Sequence, residues 1–371
     1  MNKLFVFGKT VSGDAFTDRE KETKKLISNF QYGINTFIVS PRRWGKTSLV
    51  KKAKSLAEDE HLKIVYVDVQ KCRSKEDFCE RFSSAVLMQT SGKMEEWIEN
   101  AKSFLGRFSF LVNTAADPNS ELAIRLQLSP KERSVEDILQ LPEKIARKKD
   151  IRVVVCIDEF QQIGSFPETR QFQIEMRSVW QHQENVSYCL FGSRKHMMES
   201  LFDDTEKPFY KFGDILYLQR IPQEYWIRYI TDRFKSAGKT ITKKQALWIC
   251  TQVDGHSSYV QQLSWYVFQR TENKVTAKAL QEALQELVDQ CAEVFENKTD
   301  GLTTYQMNFL RALSDGVLSG LTSARVLSDY HLGTSANVAI VKKSLLEKDL
   351  ITIEDKQARL SDPILGLWLR R

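Results

Sequence analysis

The segment between Thr36 and Asp59 constrains the fold of this chain more than any other. It reads TFIVS, then PRRWGKTS, then LVKKAKSLAED: a short apolar run, a basic loop that contains glycine, and a helical pattern. A strand, a loop and a helix in this order form an anion site, because the backbone N–H groups at the helix start face the loop. The segment therefore predicts a parallel α/β fold that holds phosphate between the strand and the helix.

The loop matches the pattern G-x-x-x-x-G-K-[ST] except at its first position, where Ser40 replaces glycine. Gly45 would let the backbone approach the phosphates, Lys46 would neutralise their oxygens, and the Thr47 hydroxyl would bind magnesium. Serine tolerates a positive φ poorly, so the substitution does not tell us which backbone turn the loop makes at Ser40. We predict ATP and Mg²⁺ as cofactors and assign nucleotide binding to the whole loop: Ser40, Pro41, Arg42, Arg43, Trp44, Gly45, Lys46, Thr47 and Ser48.

A second pattern, VVVCIDEF from Val153 to Phe160, ends an apolar strand with two carboxylates. The carboxyl ends of parallel strands share one edge of the sheet, so Asp158 and Glu159 would lie beside the loop. Asp158 would hold magnesium, and Glu159 would act as general base on the attacking water. The plainer alternative is a strand that ends in solvated acids.

Ser193 is the third candidate, at the end of the run SYCLFGS. A polar side chain on the strand next to the acidic one could contact the γ-phosphate or the attacking water. The alternative is a Gly-Ser turn that only closes the strand.

The periodicity of the chain predicts three domains. Residues 1–220 alternate short apolar runs with helical patterns, which indicates a parallel sheet covered by helices. Within them, an inserted β-hairpin at about residues 105–130 is predicted around the turn Ala116-Asp117-Pro118-Asn119. Residues 221–298 are helical in period throughout and predict a helical lid domain. Residues 299–371 have the order of a winged helix-turn-helix, three helices followed by a β-hairpin.

Composition narrows the class of protein. Of the 371 residues, 42% are hydrophobic and 27% charged, as in globular proteins, and the net charge of +6 is compatible with nucleic-acid contact without demanding it. The six cysteines form no C-x-x-C pair, which favours reduced thiols. No apolar run approaches the roughly 18 residues of a membrane span. These features predict a cytoplasmic protein without a membrane partner.

These motifs resemble those of the archaeal-type ATPases, a group in the STAND branch of the AAA+ P-loop ATPases and related to origin-recognition ATPases. The loop P-R-R-x-G-K-T-S and a strand ending in Gly192-Ser193 are typical of that group. An F-x-x-R-E-x-E box is present from Phe16 to Glu22, and the ending D-P-[ILF]-x-x-L-W-L-R corresponds to Asp362–Arg370. The resemblance implies an AAA+-like core, Mg²⁺-dependent ATP hydrolysis, and contact of Phe16 and Arg19 with the adenine.

The upstream box has a plainer interpretation, a charged helix capped by Thr17 or Asp18. Two other segments depart from the family pattern. Gly-x-Pro in the lid is replaced by Gly255-His256-Ser257, and Lys211 stands where the family often has an arginine that reads the γ-phosphate. Lys211 is therefore a catalytic candidate, with Arg194 as the alternative cation. Lysine lacks the two-pronged geometry of arginine, so we expect slow hydrolysis.

Binding of duplex DNA through the winged helix is a further possibility. Asn337 would contact a groove, and Lys342 and Lys343 would contact phosphates, if Ser335–Lys348 is a recognition helix. Residues 301–371 hold nine Lys or Arg and seven Asp or Glu, which is balanced for a DNA-binding domain. This balance favours an interaction module over a DNA reader.

We therefore predict an ATP-binding, slowly hydrolysing ATPase that acts as a conformational switch through its lid and winged helix. Its partners would be ATP and ADP, together with a protein or further copies of the chain. The alternative is a DNA-binding ATPase of origin-recognition type, and a third possibility is a binding module that does not hydrolyse ATP.

Overall fold

The computed structural model describes residues 4–11, 13, 16–92, 96, 99–100, 109–112, 124–127, 135–202, 205–354 and 356–371. The chain divides into two compact units. One, here called the sheet unit, comprises Arg19–Arg42 and Lys46–Leu218. The other, here called the helical unit, comprises Met1–Asp18, Arg43–Gly45 and Gln219–Arg371.

The sheet unit alternates strands and helices. Its elements are α1 (Glu20–Gln31), β1 (Thr36–Val39), α2 (Lys46–Ala57), β2 (Leu62–Asp68), α3 (Lys75–Thr90), β3 (Ser109–Val112), β4 (Ile124–Gln127), α4 (Val135–Leu139), α5 (Leu141–Lys149), β5 (Arg152–Asp158), a 3-10 turn (Phe160–Ser165), α6 (Thr169–Trp180), β6 (Val186–Gly192), α7 (Lys195–Phe202) and β7 (Asp214–Tyr217). Strands β3 and β4 pair antiparallel inside the predicted insertion, while its predicted turn, Ala116–Asn119, lies outside the described residues.

Five strands form one parallel sheet in the order β2-β5-β6-β1-β7. Strands β1 and β6 are buried throughout, and β5 is buried after its first residue. Continuous apolar runs such as VVVCI suit strands of this kind, because helices cover both faces of a parallel sheet. The α/β class and the parallel sheet that the sequence predicts are confirmed.

The register of the sheet brings the candidate residues to one edge. Val39 at the end of β1 pairs with Gly192 at the end of β6, and Ile157 of β5 pairs with Leu190 of β6. The residues that follow these three strands therefore emerge side by side. They are the loop from Ser40, the Asp158–Glu159 pair and Ser193.

The helical unit begins with the amino-terminal segment and continues after β7. Its elements are α8 (Gln223–Ser236), α9 (Lys243–Gln252), α10 (Ser257–Gln269), α11 (Ala277–Thr299), α12 (Thr304–Ser314), α13 (Ala324–Asp329), α14 (Ser335–Glu347), β8 (Ile351–Glu354), β9 (Gln357–Leu360) and α15 (Pro363–Leu369). Threonine caps start several of these helices, and Thr242 and Thr303 form capping boxes with Gln245 and Gln306.

One hydrophobic core runs through the helical unit. Leu263 and Leu287 of the predicted lid belong to the same buried cluster as Phe309 and Leu345 of the predicted winged helix. The Tyr259 hydroxyl of α10 donates a 2.7 Å hydrogen bond to the Asp362 carboxylate, which caps α15. The lid and the winged helix therefore share a core, although the sequence patterns divide them at residue 298.

The amino-terminal segment belongs to this unit and not to the sheet unit, where the sequence patterns had placed it. The ring of Phe5 lies 6.2 Å from that of Tyr229 and 5.9 Å from that of Phe234, both in edge-to-face geometry. The Val6 N–H donates to the buried Gln261 Oε1 at 2.8 Å. These long-range contacts place the amino-terminal segment in the helical unit.

Among the described residues, no helix is both long enough and apolar enough to span a bilayer.

An aromatic cluster fills the core under one face of the sheet. Trp180, at the end of α6, stacks on Tyr188 of β6 with 3.9 Å between ring centroids and 16° between planes. Phe82, Phe160, Phe209 and Phe212 surround the indole at 6.1 to 6.4 Å. The indole therefore joins α3, α6, β6 and the segment before β7 in one packed group.

We expect Trp180→Ala to lower the free energy of unfolding of the sheet unit by about 3–5 kcal/mol, because it removes this shared indole and leaves a cavity. Tyr32→Ala is the matched control, since Tyr32 is 78% exposed; it should cost less than about 0.5 kcal/mol. Urea unfolding followed by circular dichroism measures both. Equal losses in the two variants would contradict the packing described here.

Candidate nucleotide-binding site

The backbone of the phosphate loop does not require glycine at position 40. The described residues with positive φ include Arg43 at 63° and Gly45 at 92°, and Ser40 is not among them. Ser40 is buried, so the position needs a small residue without needing glycine's backbone freedom. The left-handed turn falls instead on Arg43, at a cost of about 1–2 kcal/mol for a side chain with a Cβ.

Lys46 begins helix α2, and its ammonium folds back over the loop. Nζ donates to the carbonyls of Pro41 at 2.8 Å and Ser40 at 3.1 Å, and to the Ser40 hydroxyl at 3.3 Å. Burial lowers the pKa of Lys46 to about 8, although the carboxylates of Glu159 and Asp158 oppose the shift. A buried cation held by loop carbonyls is placed to turn toward phosphate oxygens.

Asp158 joins the loop helix to the sheet. Its Oδ2 accepts from the Thr47 hydroxyl at 2.9 Å and from the Tyr66 hydroxyl at 2.5 Å, and its Oδ1 accepts from the Glu159 N–H at 2.9 Å. Burial raises the pKa of Asp158, while the hydrogen bonds from Tyr66 and Thr47 oppose the rise. The two residues predicted to bind magnesium are thus in direct contact, and a hydroxyl beside a carboxylate is the oxygen donor set that Mg²⁺ prefers.

Glu159 sits on left-handed backbone, at φ 56°. Its Oε2 accepts from the Ser193 hydroxyl at 2.9 Å, from the Ser193 N–H at 3.3 Å and from the Gln161 amide at 2.5 Å. Ser193 therefore contacts the predicted base directly, whereas the sequence pointed to a contact with the γ-phosphate or the water. The three hydrogen bonds fix where the Glu159 carboxylate points.

Among the described residues, Tyr66 and Gln161 contact the predicted site residues although the sequence patterns did not single them out. Tyr66 lies in the apolar strand β2 and pairs with Cys156 of β5, so its hydroxyl reaches Asp158 only because β2 neighbours β5. Gln161 is buried in the turn after Glu159. A glutamine two residues after an acidic pair, next to an apolar residue, is a sequence signal that could have identified it, since amides in apolar surroundings require partners.

Arg19 supports a ligand near the start of α1. It is only 4% exposed, and its backbone is left-handed, at φ 72°. Its Nη1 donates to Glu22 at 2.8 Å, and no hydrogen-bond partner for its buried Nη2 occurs in the described part of the chain. A buried guanidinium nitrogen without a partner is costly, so a polar ligand group would fit there.

The N-cap position of α1 is neither Thr17 nor Asp18. Arg19 occupies it and makes no side-chain cap hydrogen bond. Phe16 is half-buried, and its N–H donates to the Gly13 carbonyl at 3.0 Å. The contact of Phe16 and Arg19 with adenine stays a prediction.

The remaining cation candidates lie on the surface. Lys211 is exposed on left-handed backbone at φ 52°, and its Nζ is 5.3 Å from the centroid of the Tyr210 ring. Arg194 is exposed, and its Nη1 donates to the Met197 sulfur at 3.5 Å. The action of Lys211 on the γ-phosphate, with Arg194 as the alternative, stays a prediction.

The candidate DNA contacts lie in α14. The Asn337 amide donates to the Leu332 carbonyl at 2.8 Å, so it is engaged inside the winged helix. Lys342 is half-buried and Lys343 is exposed. This leaves Lys343 as the more accessible of the proposed phosphate contacts.

Solved structures share this fold over the whole chain. The Walker-type ATPase PABY2304 of Pyrococcus abyssi is 15% identical with a TM-score of 0.70, and the match covers 100% of both chains. The ORC2 protein of Aeropyrum pernix, solved in ADPNP–ADP complexes, is 13% identical with a TM-score of 0.60, over 100% of this chain and 96% of that one. Its ADP form gives 12% and 0.55, over 99% and 97%. Identities this low show the fold alone.

Two family profiles match the sequence, and no curated protein matches it significantly. The family described as "Probable winged helix domain" matches residues 293–371. The family described as "ATPase domain predominantly from Archaea" matches residues 16–206, which is more than half of the chain. The chain therefore belongs to this predominantly archaeal ATPase family and ends in a winged helix domain.

Proposed function

We propose that this protein binds ATP at the loop Ser40–Ser48, hydrolyses it slowly, and uses the nucleotide state to set the position of its helical unit. The observation that carries the proposal is the convergence of Lys46, the Thr47–Asp158 pair and the Glu159–Ser193 pair at one edge of the sheet. These groups supply phosphate binding, a metal-binding oxygen pair and an oriented base, which are the parts that phosphoryl transfer to water requires.

Nucleotide binding rests on the loop and on Arg19. The loop amides at the start of α2 and the buried Lys46 ammonium would hold the phosphates. The ADPNP and ADP complexes of the Aeropyrum pernix ORC2 protein, which has the same fold, support a nucleotide as the ligand. Mg²⁺, held by Thr47 and Asp158, would neutralise phosphate charge.

The chemistry at Glu159 would be general-base catalysis. Its Oε2 already accepts three hydrogen bonds, two from Ser193 and one from Gln161, so the carboxylate is oriented before substrate arrives. It would accept the proton of the attacking water, and Lys46 would offset the charge that develops on the γ-phosphate. Lys211 in place of an arginine would give a weaker offset, and hydrolysis would be slow.

A switch role is supported by the shared core of the helical unit. Because the lid helices and the winged helix bury one common cluster, a nucleotide-dependent displacement of the lid would carry the winged helix with it. The partner we propose is a protein or a further copy of this chain in the cytoplasm. We propose that this switching is of the STAND type.

The first test is steady-state ATP hydrolysis with Mg²⁺. We expect a slow wild-type rate, a loss of at least about 100-fold for Glu159→Gln because the base is removed, and loss of nucleotide binding in Lys46→Ala. Lys24→Ala, on the exposed side of α1, is the matched control and should hydrolyse ATP as the wild type does. A Glu159→Gln rate equal to the wild-type rate would identify a binding module without catalysis.

A double-mutant cycle separates the two roles open to Ser193. If it acts by orienting Glu159, Ser193→Ala should lower kcat by about tenfold and have less than about a twofold further effect in the Glu159→Gln background. Affinities for ATP and ADP should stay equal to those of the parent in each background. Additive losses, or a selective loss of ATP affinity, would instead assign Ser193 to the γ-phosphate.

The DNA alternative is tested in the same assay. Because Asn337 is engaged internally and the winged-helix region is charge-balanced, we expect saturating duplex DNA to change the rate less than about twofold. Stimulation of about tenfold that weakens with salt, and that Lys342→Gln with Lys343→Gln abolishes, would establish the DNA-dependent function.

A further inference from the structure

Arg220 joins three separate parts of the helical unit through one guanidinium group. Its Cζ lies 5.2 Å from the centroid of the Trp44 ring, at the tip of the phosphate loop. Its Nη1 pairs with the Asp254 carboxylate at 2.5 Å and also donates to the Asp254 carbonyl. Its Nη2 pairs with Glu354 of β8 at 3.2 Å. A planar, multiply donating arginine can serve all three at once.

Trp44 connects Arg220 and its partners to the nucleotide site, because Trp44 is part of the phosphate loop. By its contacts, the loop tip Arg43–Gly45 belongs to the helical unit, whereas Lys46 and Thr47 start α2 in the sheet unit. Trp44 is buried, so its ring is held in place. The residues that would touch phosphate are therefore covalently next to a side chain that packs on Arg220.

The other two partners of Arg220, Asp254 and Glu354, lie in a turn of the lid and in the winged-helix hairpin. Asp254 and Gly255 are consecutive left-handed residues, at φ 50° and 63°, and they turn the chain from α9 into α10. Glu354 ends the first strand of the winged-helix hairpin and is 19% exposed. It also lies 3.9 Å from Arg359 of β9. Arg220 thus contacts both the lid turn and the hairpin.

We propose that Arg220 transmits the nucleotide state of the loop to the β8–β9 hairpin. The inference rests on the proposed function, because it requires that nucleotide binds the loop. Phosphate would draw Lys46 away from the Pro41 and Ser40 carbonyls and would engage the loop amides, so the tip would rearrange. The Trp44 ring would move with the tip, and the Arg220 contacts to Asp254 and Glu354 would change with it.

Hydrogen exchange of the hairpin in the full-length protein tests this coupling. Exchange of the segments Ile351–Glu354 and Gln357–Leu360 is compared with ADP and with a non-hydrolysable ATP analogue, and binding of a fluorescent ADP analogue is measured in parallel. The informative variants are Arg220→Gln and Glu354→Gln, the latter leaving the contacts of Arg220 with Trp44 and Asp254 in place. Arg228→Gln is the matched control, because Arg228 is 85% exposed and pairs with Asp232 on its own helix.

We expect hairpin exchange to differ by about fivefold or more between the two nucleotide states in the wild type and in Arg228→Gln. In Arg220→Gln and Glu354→Gln the difference should fall below about twofold, with nucleotide affinity within about threefold of wild type. If Arg220→Gln does not fold, Glu354→Gln decides.

Two results would overturn the inference while leaving ATP binding intact. One is a wild type that binds nucleotide without any response of the hairpin. The other is a Glu354→Gln variant with the full wild-type response. A wild type that binds no nucleotide would instead refute the proposed function itself.

Discussion

The Asp158 carboxylate is the contact on which the nucleotide site depends. It accepts hydrogen bonds from Thr47 at the start of α2 and from Tyr66 of β2 while it ends β5, so it ties the loop helix to two strands of the sheet. A buried carboxylate without these donors would be costly, and burial already raises its pKa. The position of the loop relative to the acidic pair is therefore set by hydrogen bonding inside the protein, before any ligand arrives.

Left-handed backbone occurs at two residues of the candidate site, as it does at several others along the chain. Arg43 and Glu159 both have left-handed backbone, and Arg19 repeats the feature at the start of α1. Each costs of the order of 1–2 kcal/mol for a residue with a Cβ, and the surrounding fold must over-determine it. Strained backbone is often retained at functional sites, and at Glu159 the side-chain carboxylate accepts hydrogen bonds from Ser193 and Gln161.

Much of the fold and the centre of the site could be predicted from sequence, because they rest on local signals. A pattern of about a dozen residues or fewer is enough to recognise each of three elements: the strand before Ser40, the helix after Lys46 and the apolar run before Asp158. Tyr66 could not be predicted in the same way, since its role depends on β2 lying next to β5. The same holds for the burial of Arg19 and for the contact between Trp44 and Arg220, which depend on tertiary packing.

The packing of Phe5 and Val6 against α8 and α10 has a consequence for how this chain is made. Phe5 and Val6 are synthesised before their partners, which follow more than two hundred residues later in the chain. The sheet unit, from α1 to β7, is complete before those partners appear and can fold while the amino-terminal segment waits. Closure of the helical unit then brings Phe5 and Val6 against α8 and α10. A bulky fusion placed before Phe5 would accordingly disturb the last folded unit to form and spare the first.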